Sequence, residues 1–138
     1  MTNDIPHIFI KSVIKYLRII LGNDNKLLLF GSMKGYYYTD NSKYLFEWII
    51  NNKNNIKCVW ISRNIKVVNY VRNKGFPAHL MNSFTGFWLL ARARFAFFTN
   101  SQRDLALDPF FIPDSLKLVA LRHGRSVKRV RFARKKHK

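Results

Sequence analysis

The sequence has few of the residues that would crosslink a small fold or carry a chain across a membrane. Its one cysteine is Cys58, so no intrachain disulfide can form, and a reducing compartment is the simpler assumption. No uninterrupted apolar run approaches the roughly 20 residues that a membrane-spanning helix needs. The first six residues carry Asp4 and no basic region, and no cleavage site of small residues follows, so we expect no signal peptide. These absences predict a soluble protein or one that lies on a membrane surface.

Acidic residues are also scarce, and the resulting charge restricts the partners. Seven Asp or Glu stand against 25 Lys or Arg, which gives a net charge of +18. Such an excess calls for an anionic partner: nucleic acid, anionic lipid or a polyphosphate-like substrate. Residues 122–138 hold nine of the basic residues and no acid, so this tail supplies half of the net charge. A run of this kind is most often a solvated end, but it could also bind anionic lipid or nucleic acid.

Apolar runs of strand length alternate with helical patterns along the chain. The runs are continuously apolar, as in strands covered on both faces, and they span residues 26–32, 57–62, 78–81, 94–100 and 117–121. The helical patterns span residues 5–21, 41–52, 65–74 and 84–93. This alternation predicts an α/β fold, a Rossmann-like parallel sheet with helices on both faces. We divide the chain into a helix at 1–22, a Rossmann-like lobe at 23–124 and a basic tail at 125–138.

The first helical pattern combines a narrow basic stripe with a broad apolar face. Lys11, Lys15 and Arg18 recur at helical spacing, with His7 on the same side. Such a helix can lie in a bilayer interface, or it can pack on the domain, and the sequence leaves both alternatives open.

The segment that follows the first predicted strand, residues 31–41, leads into a helix. Gly31 permits a tight turn, and the helix start offers unpaired N–H groups that suit a phosphate. The segment matches neither a dinucleotide fingerprint nor a P-loop. Its plainer interpretation is a strand–turn–helix link in which Asp40, Asn41 or Ser42 caps the helix.

A second candidate motif follows the last predicted strand. His123 lies just past that strand, where a parallel sheet holds its ligands, and histidine can serve as a general base near neutral pH. Arg122, Arg125 and Lys128 could neutralise phosphate charge. The alternative is a loop histidine without a catalytic role.

These two motifs together resemble the CDP-glycerol glycerophosphotransferase family, the teichoic-acid polymerase type. Residues 30–32, 35–49 and 59–61 resemble the start of that family, which carries a strand ending in phenylalanine–x–serine, then a tyrosine–serine–aspartate–asparagine run before a helix. His123-Gly124, with Lys128 beyond it, resembles the family's tryptophan–histidine–glycine–threonine–proline–leucine–lysine motif. The sequence departs from that motif at Arg122 and over residues 125–127.

The resemblance implies a two-lobed, glycosyltransferase-like (GT-B) enzyme. The lobe seen here would face a polyol-phosphate acceptor, and a second lobe or subunit would bind the donor CDP-glycerol. His123 would be the base that activates the acceptor hydroxyl, and Ser32, Asp40, Asn41, Arg125 and Lys128 would contact substrate. No metal or cofactor is implied, and the family acts at the cytoplasmic face of the membrane.

Three functional hypotheses follow from these observations. The first is the acceptor half of a glycerophosphotransferase, inactive without the donor lobe. The second is a non-catalytic basic module that binds nucleic acid or another anionic polymer through its tail. The third is a membrane-surface protein that docks another subunit.

Overall fold

The computed structural model describes residues 4–122, with side chains from residue 7 onward. Four helices lie in this part of the chain: α1 (Asp4–Leu21), α2 (Asp40–Asn52), α3 (Ile65–Asn73) and α4 (Phe84–Arg92). Five strands alternate with them: β1 (Asp24–Phe30), β2 (Lys57–Ser62), β3 (Ala78–Leu80), β4 (Ala93–Phe98) and β5 (Lys117–Ala120). Short 3₁₀ turns at Met33–Gly35, Gln102–Asp104 and Pro109–Phe111 complete the described elements. The predicted boundaries of the helices and strands lie within two residues of these.

The strands form one parallel sheet in the order β3-β2-β1-β4-β5. The chain therefore builds outward from β1 in one direction and then crosses to the other side of it with β4. The predicted Rossmann-like parallel sheet is confirmed. In such sheets a crevice opens at the carboxyl ends of the two strands where the order reverses, here β1 and β4.

The sheet separates two apolar cores, and successive side chains of β1 point alternately into one core and the other. Leu27 and Leu29 point to the core that includes α1 and α4, whereas Leu28 and Phe30 point to the core that includes α2 and α3. Successive side chains of a strand face opposite ways, so a strand covered on both faces must be apolar throughout. The helices consequently lie on both faces, as the sequence predicts.

Helix α1 packs on the domain through Arg18 as well as through apolar residues. Ile14 is 2% exposed and lies in the first core. Arg18 is buried, and its Nη1 donates hydrogen bonds to the carbonyl oxygens of Ala91 (3.0 Å) and Ala93 (3.1 Å). Of the two alternatives that the sequence leaves open, the position of Arg18 agrees with packing on the domain. No helix in residues 4–122 has the length and apolarity to cross a membrane.

The start of α2 also differs from the sequence-based expectation. Its N-cap is Thr39, in extended backbone conformation, and that side chain makes no capping hydrogen bond. The expectation that Asp40, Asn41 or Ser42 caps the helix is therefore wrong. These residues are already helical positions, and their side chains are directed to other partners.

Candidate functional site at the carboxyl ends of the strands

The loop between β1 and α2 has an unusual backbone. Met33, Lys34 and Asp40 have φ angles of 48°, 55° and 66°, and they are the non-glycine residues with positive φ within residues 4–122. Each such conformation costs on the order of 1–3 kcal/mol and persists only where the surroundings impose it. Strained backbone of this kind concentrates at ligand sites, and here it lies at the point where the strand order reverses.

A fully buried carboxylate, that of Asp104, holds this loop to the loop after β4. Its Oδ1 accepts a hydrogen bond from the Lys34 N–H (2.7 Å), and its Oδ2 accepts from the N–H groups of Thr99 (3.1 Å) and Asn100 (2.8 Å). The two loops also approach closely at Gly31, where a Cβ atom would overlap the carbonyl oxygen of Asp104. Asp104 thereby fixes the crevice floor through backbone groups of both strand ends.

The first turn of α2 closes the crevice from the side. Ser42 is fully buried, and its Oγ shares a hydrogen bond of 2.9 Å with the Oγ1 of Thr99. The Oδ2 of Asp40 is buried without a hydrogen-bond partner among the described residues. Asn41 is exposed, and its Nδ2 donates to the carbonyl oxygen of Arg122 at 2.9 Å. The start of α2 thus contacts both the end of β4 and the segment after β5.

The Asn41 contact brings together two motifs that the sequence analysis selected separately. Arg122 is the last described residue, and His123 follows it directly. His123, Arg125 and Lys128 lie outside the described residues, so their assignments stay predictions. Asn41 therefore contacts the residue that precedes His123 in the chain.

Ser32 has a different environment from the one that a substrate contact suggests. It is fully buried, and its Oγ donates a hydrogen bond to the carbonyl oxygen of Tyr37 at 2.8 Å. This bond holds the β1–α2 loop in its turn. Its assignment to substrate binding stays a prediction.

Two residues of the crevice were missed by sequence reasoning. Asp104 carried a usable signal, because Ser101-Gln102-Arg103-Asp104 has the spacing of a capping box. Arg63, at the carboxyl end of β2, carried none. Its N–H donates to the Gly35 carbonyl (2.9 Å), while its Nε and Nη2 are buried without a partner in the described part of the chain.

Arg63 adds positive charge to the same rim of the sheet. Its guanidinium carbon lies 5.2 Å from the centre of the Tyr36 ring. Lys34 and Arg122 contribute further cations from the ends of β1 and β5. A rim with several cations and exposed backbone turns suits a ligand that carries phosphate groups.

Comparison with known proteins connects this geometry to a family. Residues 13–138 match the family model described as CDP-glycerol:poly(glycerophosphate) glycerophosphotransferase, so the match includes nearly the whole chain. A comparison with curated protein sequences gave no match.

Solved structures of a wall teichoic acid polymerase, TagF, have a similar fold. A variant soaked with CDPG superposes with a TM-score of 0.65 at 17% identity, and it covers 91% of this chain. Another TagF structure gives a TM-score of 0.60 at 19% identity over 88% of this chain. At these identities the likeness concerns the fold. The chain spans 30% of the length of the first structure and 33% of the second.

Proposed function

Because the chain belongs to the CDP-glycerol:poly(glycerophosphate) glycerophosphotransferase family, we propose that it is the acceptor-side lobe of such an enzyme. In this proposal it serves the synthesis of a teichoic-acid-like polymer at the cytoplasmic face of the membrane. The donor CDP-glycerol is held by a second lobe or subunit. The chain alone binds the growing polyol-phosphate chain but does not transfer glycerol phosphate.

One observation carries the proposal: the hydrogen bond of 2.9 Å from the Asn41 amide to the Arg122 carbonyl. It supports a single crevice that includes the Asp40–Asn41 turn and the peptide leading to His123. Asp104 holds the backbone of the loops after β1 and β4 beside this contact. General base catalysis requires a base that is held close to the acceptor hydroxyl, and in this proposal His123 is that base.

The reaction follows from these roles. The imidazole of His123 accepts the proton of the acceptor's terminal hydroxyl while that oxygen attacks the β-phosphorus of CDP-glycerol. A phosphorus–oxygen bond to the acceptor forms, the bond to the CMP oxygen breaks, and CMP leaves. Arg125 and Lys128 neutralise the phosphate charge, assisted by the cations at the ends of β1 and β2. The donor-binding lobe supplies the remaining contacts to the nucleotide.

The catalytic part of the proposal is tested by CMP release from CDP-glycerol with a glycerol-phosphate primer. The chain alone is expected to release no CMP above background. Fused to the donor-binding lobe of a family member, it is expected to transfer glycerol phosphate. His123→Asn should then reduce the rate by about 10²–10⁴-fold, the usual contribution of a general base. Transfer by the isolated chain, or an undiminished rate in the variant, would contradict the proposal.

The acceptor-binding part can be tested on the chain itself. Oligomers of glycerol phosphate are titrated into the protein and binding is followed by NMR. Asn41→Ala should weaken binding because it releases the segment that leads to His123. Asn51→Ala, on the exposed far end of the same helix, is the matched control. Equal affinities for the two variants would remove the Asp40–Asn41 turn from the acceptor site.

A further inference from the structure

A cavity of about 370 Å³ lies between α1 and the segment before β5. Three cations of α1 line it, namely Lys11, Lys15 and Arg18, which recur at helical spacing and share one helix face. Asp114 is the one acidic residue among its lining residues. The lining side chains therefore carry a net positive charge.

The position of this cavity separates it from the crevice. Its wall includes Gly22 and Asn23, which precede β1, and Ser115, which precedes β5. All strands are parallel, so these residues lie at the amino ends of the strands, and the crevice lies at the carboxyl ends. The seven residues of β1 set the two sites about 23 Å apart at about 3.3 Å per residue.

Arg18 is the most buried of the three cations that line the cavity. The side chain is 8% exposed, and its Nη1 is held by two backbone carbonyls. Its Nε and Nη2, the edge of the guanidinium that pairs with two oxygens at once, are buried and have no partner among the described residues. Unpartnered buried donors on a charged group cost free energy, and the charge of an anion in the adjacent cavity would offset part of that cost without direct contact to these two atoms.

Lys11 and Lys15 supply the outer part of the same site. The Nζ of Lys11 lies 4.2 Å from the centre of the Phe110 ring, which keeps the ammonium group beside the cavity. Lys15 is exposed and can reach a ligand from the solvent side. Burial and the nearby Arg94 lower the pKa of Arg18, and a bound anion would oppose that effect.

We propose that Lys11, Lys15 and Arg18 form a phosphate-binding site at the amino-terminal rim of the sheet. Its ligand class is a phosphate mono- or diester, and the phosphate can belong to an anionic lipid headgroup or to a soluble phosphate compound. The site is independent of the transferase reaction proposed above, because none of its residues belongs to the crevice.

The first experiment titrates inorganic phosphate into the chain and follows the Nε–H resonance of Arg18 and the backbone amides of α1 by NMR. The double variant Lys11→Gln/Lys15→Gln should bind phosphate about tenfold more weakly, because it removes two of the three cations that line the cavity and both of these are on its outer, better-solvated side. The double variant Lys53→Gln/Lys66→Gln removes the same charge at exposed positions elsewhere and should bind normally. Asp114→Asn should tighten binding, because it removes the opposing carboxylate.

Three results would overturn the site: an unchanged affinity in the Lys11/Lys15 variant, an equal loss in the Lys53/Lys66 variant, or weaker binding by Asp114→Asn.

A second experiment identifies the source of the phosphate with vesicles of phosphatidylcholine, with and without phosphatidylglycerol. If only the Lys11/Lys15 variant loses binding to the anionic vesicles, the site binds a lipid headgroup. If both double variants bind the vesicles equally while the phosphate titration still distinguishes them, the site binds a soluble phosphate.

Discussion

At the scale of single residues, Asp104 is the side chain on which the crevice depends most. Its two oxygens accept hydrogen bonds from backbone groups of two loops that are 70 residues apart in sequence at their furthest contact. No solvent reaches it, so the replacement of either oxygen leaves a buried N–H group facing a donor. Its role is to position the loops rather than to contact a substrate.

We therefore expect Asp104→Asn to lower the free energy of unfolding by about 2–3 kcal/mol, the range for losing a charged acceptor that serves buried donors. Urea denaturation measures this change. Asp114→Asn, at an exposed position, is the control and should change stability by less than about 0.5 kcal/mol. Equal effects of the two variants would show that the hydrogen bonds to Asp104 contribute nothing specific.

His79, on β3, gives a prediction about pH. Burial, and secondarily the charge of Arg72, lower the pKa of His79 from its ordinary 6.5. Below pH 6.5 the unfolded chain therefore binds a proton that the folded chain resists, and stability falls as the pH drops towards the folded pKa. Above pH 6.5 both states are neutral and this contribution is constant.

Replacement of His79 by Asn should flatten this part of the curve of unfolding free energy against pH. The midpoint of urea unfolding, measured at intervals through the acidic range, provides the test. An acid-side slope that is identical in the variant would assign the pH dependence to other groups.

The contacts of the crevice residues could not be predicted from the sequence, although the positions of Asp40 and Asn41 between a strand and a helix could. Asp40 and Asn41 could be selected because they stand where the segment after the first strand leads into a helix, a position that the local sequence pattern alone indicates. The role of Asp104 depends on the backbone of Lys34, which only the folded sheet brings near. The burial of Ser32 likewise depends on the turn back to Tyr37, which the local pattern does not indicate.

At the scale of elements, α1 could lie in a bilayer interface or pack on the domain, and its buried and exposed residues allow a test of the packing. Ile14 lies in the core at 2% exposure, whereas Ile20, six residues further along, is 77% exposed. Ile14→Ala should lower the free energy of unfolding by about 2–5 kcal/mol, because it removes buried methyl groups and leaves a cavity. Ile20→Ala should have an effect within about 0.5 kcal/mol.

Thermal and urea unfolding of the two variants measure the difference. Comparable small effects would mean that α1 does not pack on α4 in solution.

The sequence could not have distinguished the buried face of α1 from its exposed face, because apolar residues surround most of the helix and an arginine such as Arg18 is usually found at the surface. Its burial follows from the free carbonyls of Ala91 and Ala93, where α4 ends and β4 begins.

At the scale of the whole molecule, the net charge of +18 leaves the nucleic-acid hypothesis to be tested. We expect the chain to bind duplex DNA without sequence preference and with an affinity that falls by orders of magnitude between about 50 and 200 mM salt, as contacts to phosphates alone do. Electrophoretic mobility shifts on two unrelated DNA sequences measure this. Discrimination between the sequences, or binding that resists salt, would favour a nucleic-acid function over the proposed transferase lobe.

The parallel fold could be predicted from the alternation of apolar runs and helical patterns, but the order of the strands could not. Nothing local in β4 indicates that it pairs with β1 rather than with β3, its predecessor in the chain. In the folded sheet β1 pairs with β2 on one edge and with β4 on the other, so β1 is the central strand. The connection from β4 to β5, which lies wholly within the described residues, contains two 3₁₀ turns and no α-helix, and the sequence patterns likewise show no helical pattern between these strands.

The separation of the crevice contacts along the chain has a kinetic consequence. The bonds from Asn41 to Arg122 and from Ser42 to Thr99 join residues 81 and 57 positions apart. Closing loops of that length is slow, and each closure requires β4 or β5 to have docked first. During synthesis the early helices and strands can therefore associate on the ribosome well before any ligand pocket exists. The contacts between the start of α2 and the segment after β5 can form only once β5 has paired with β4.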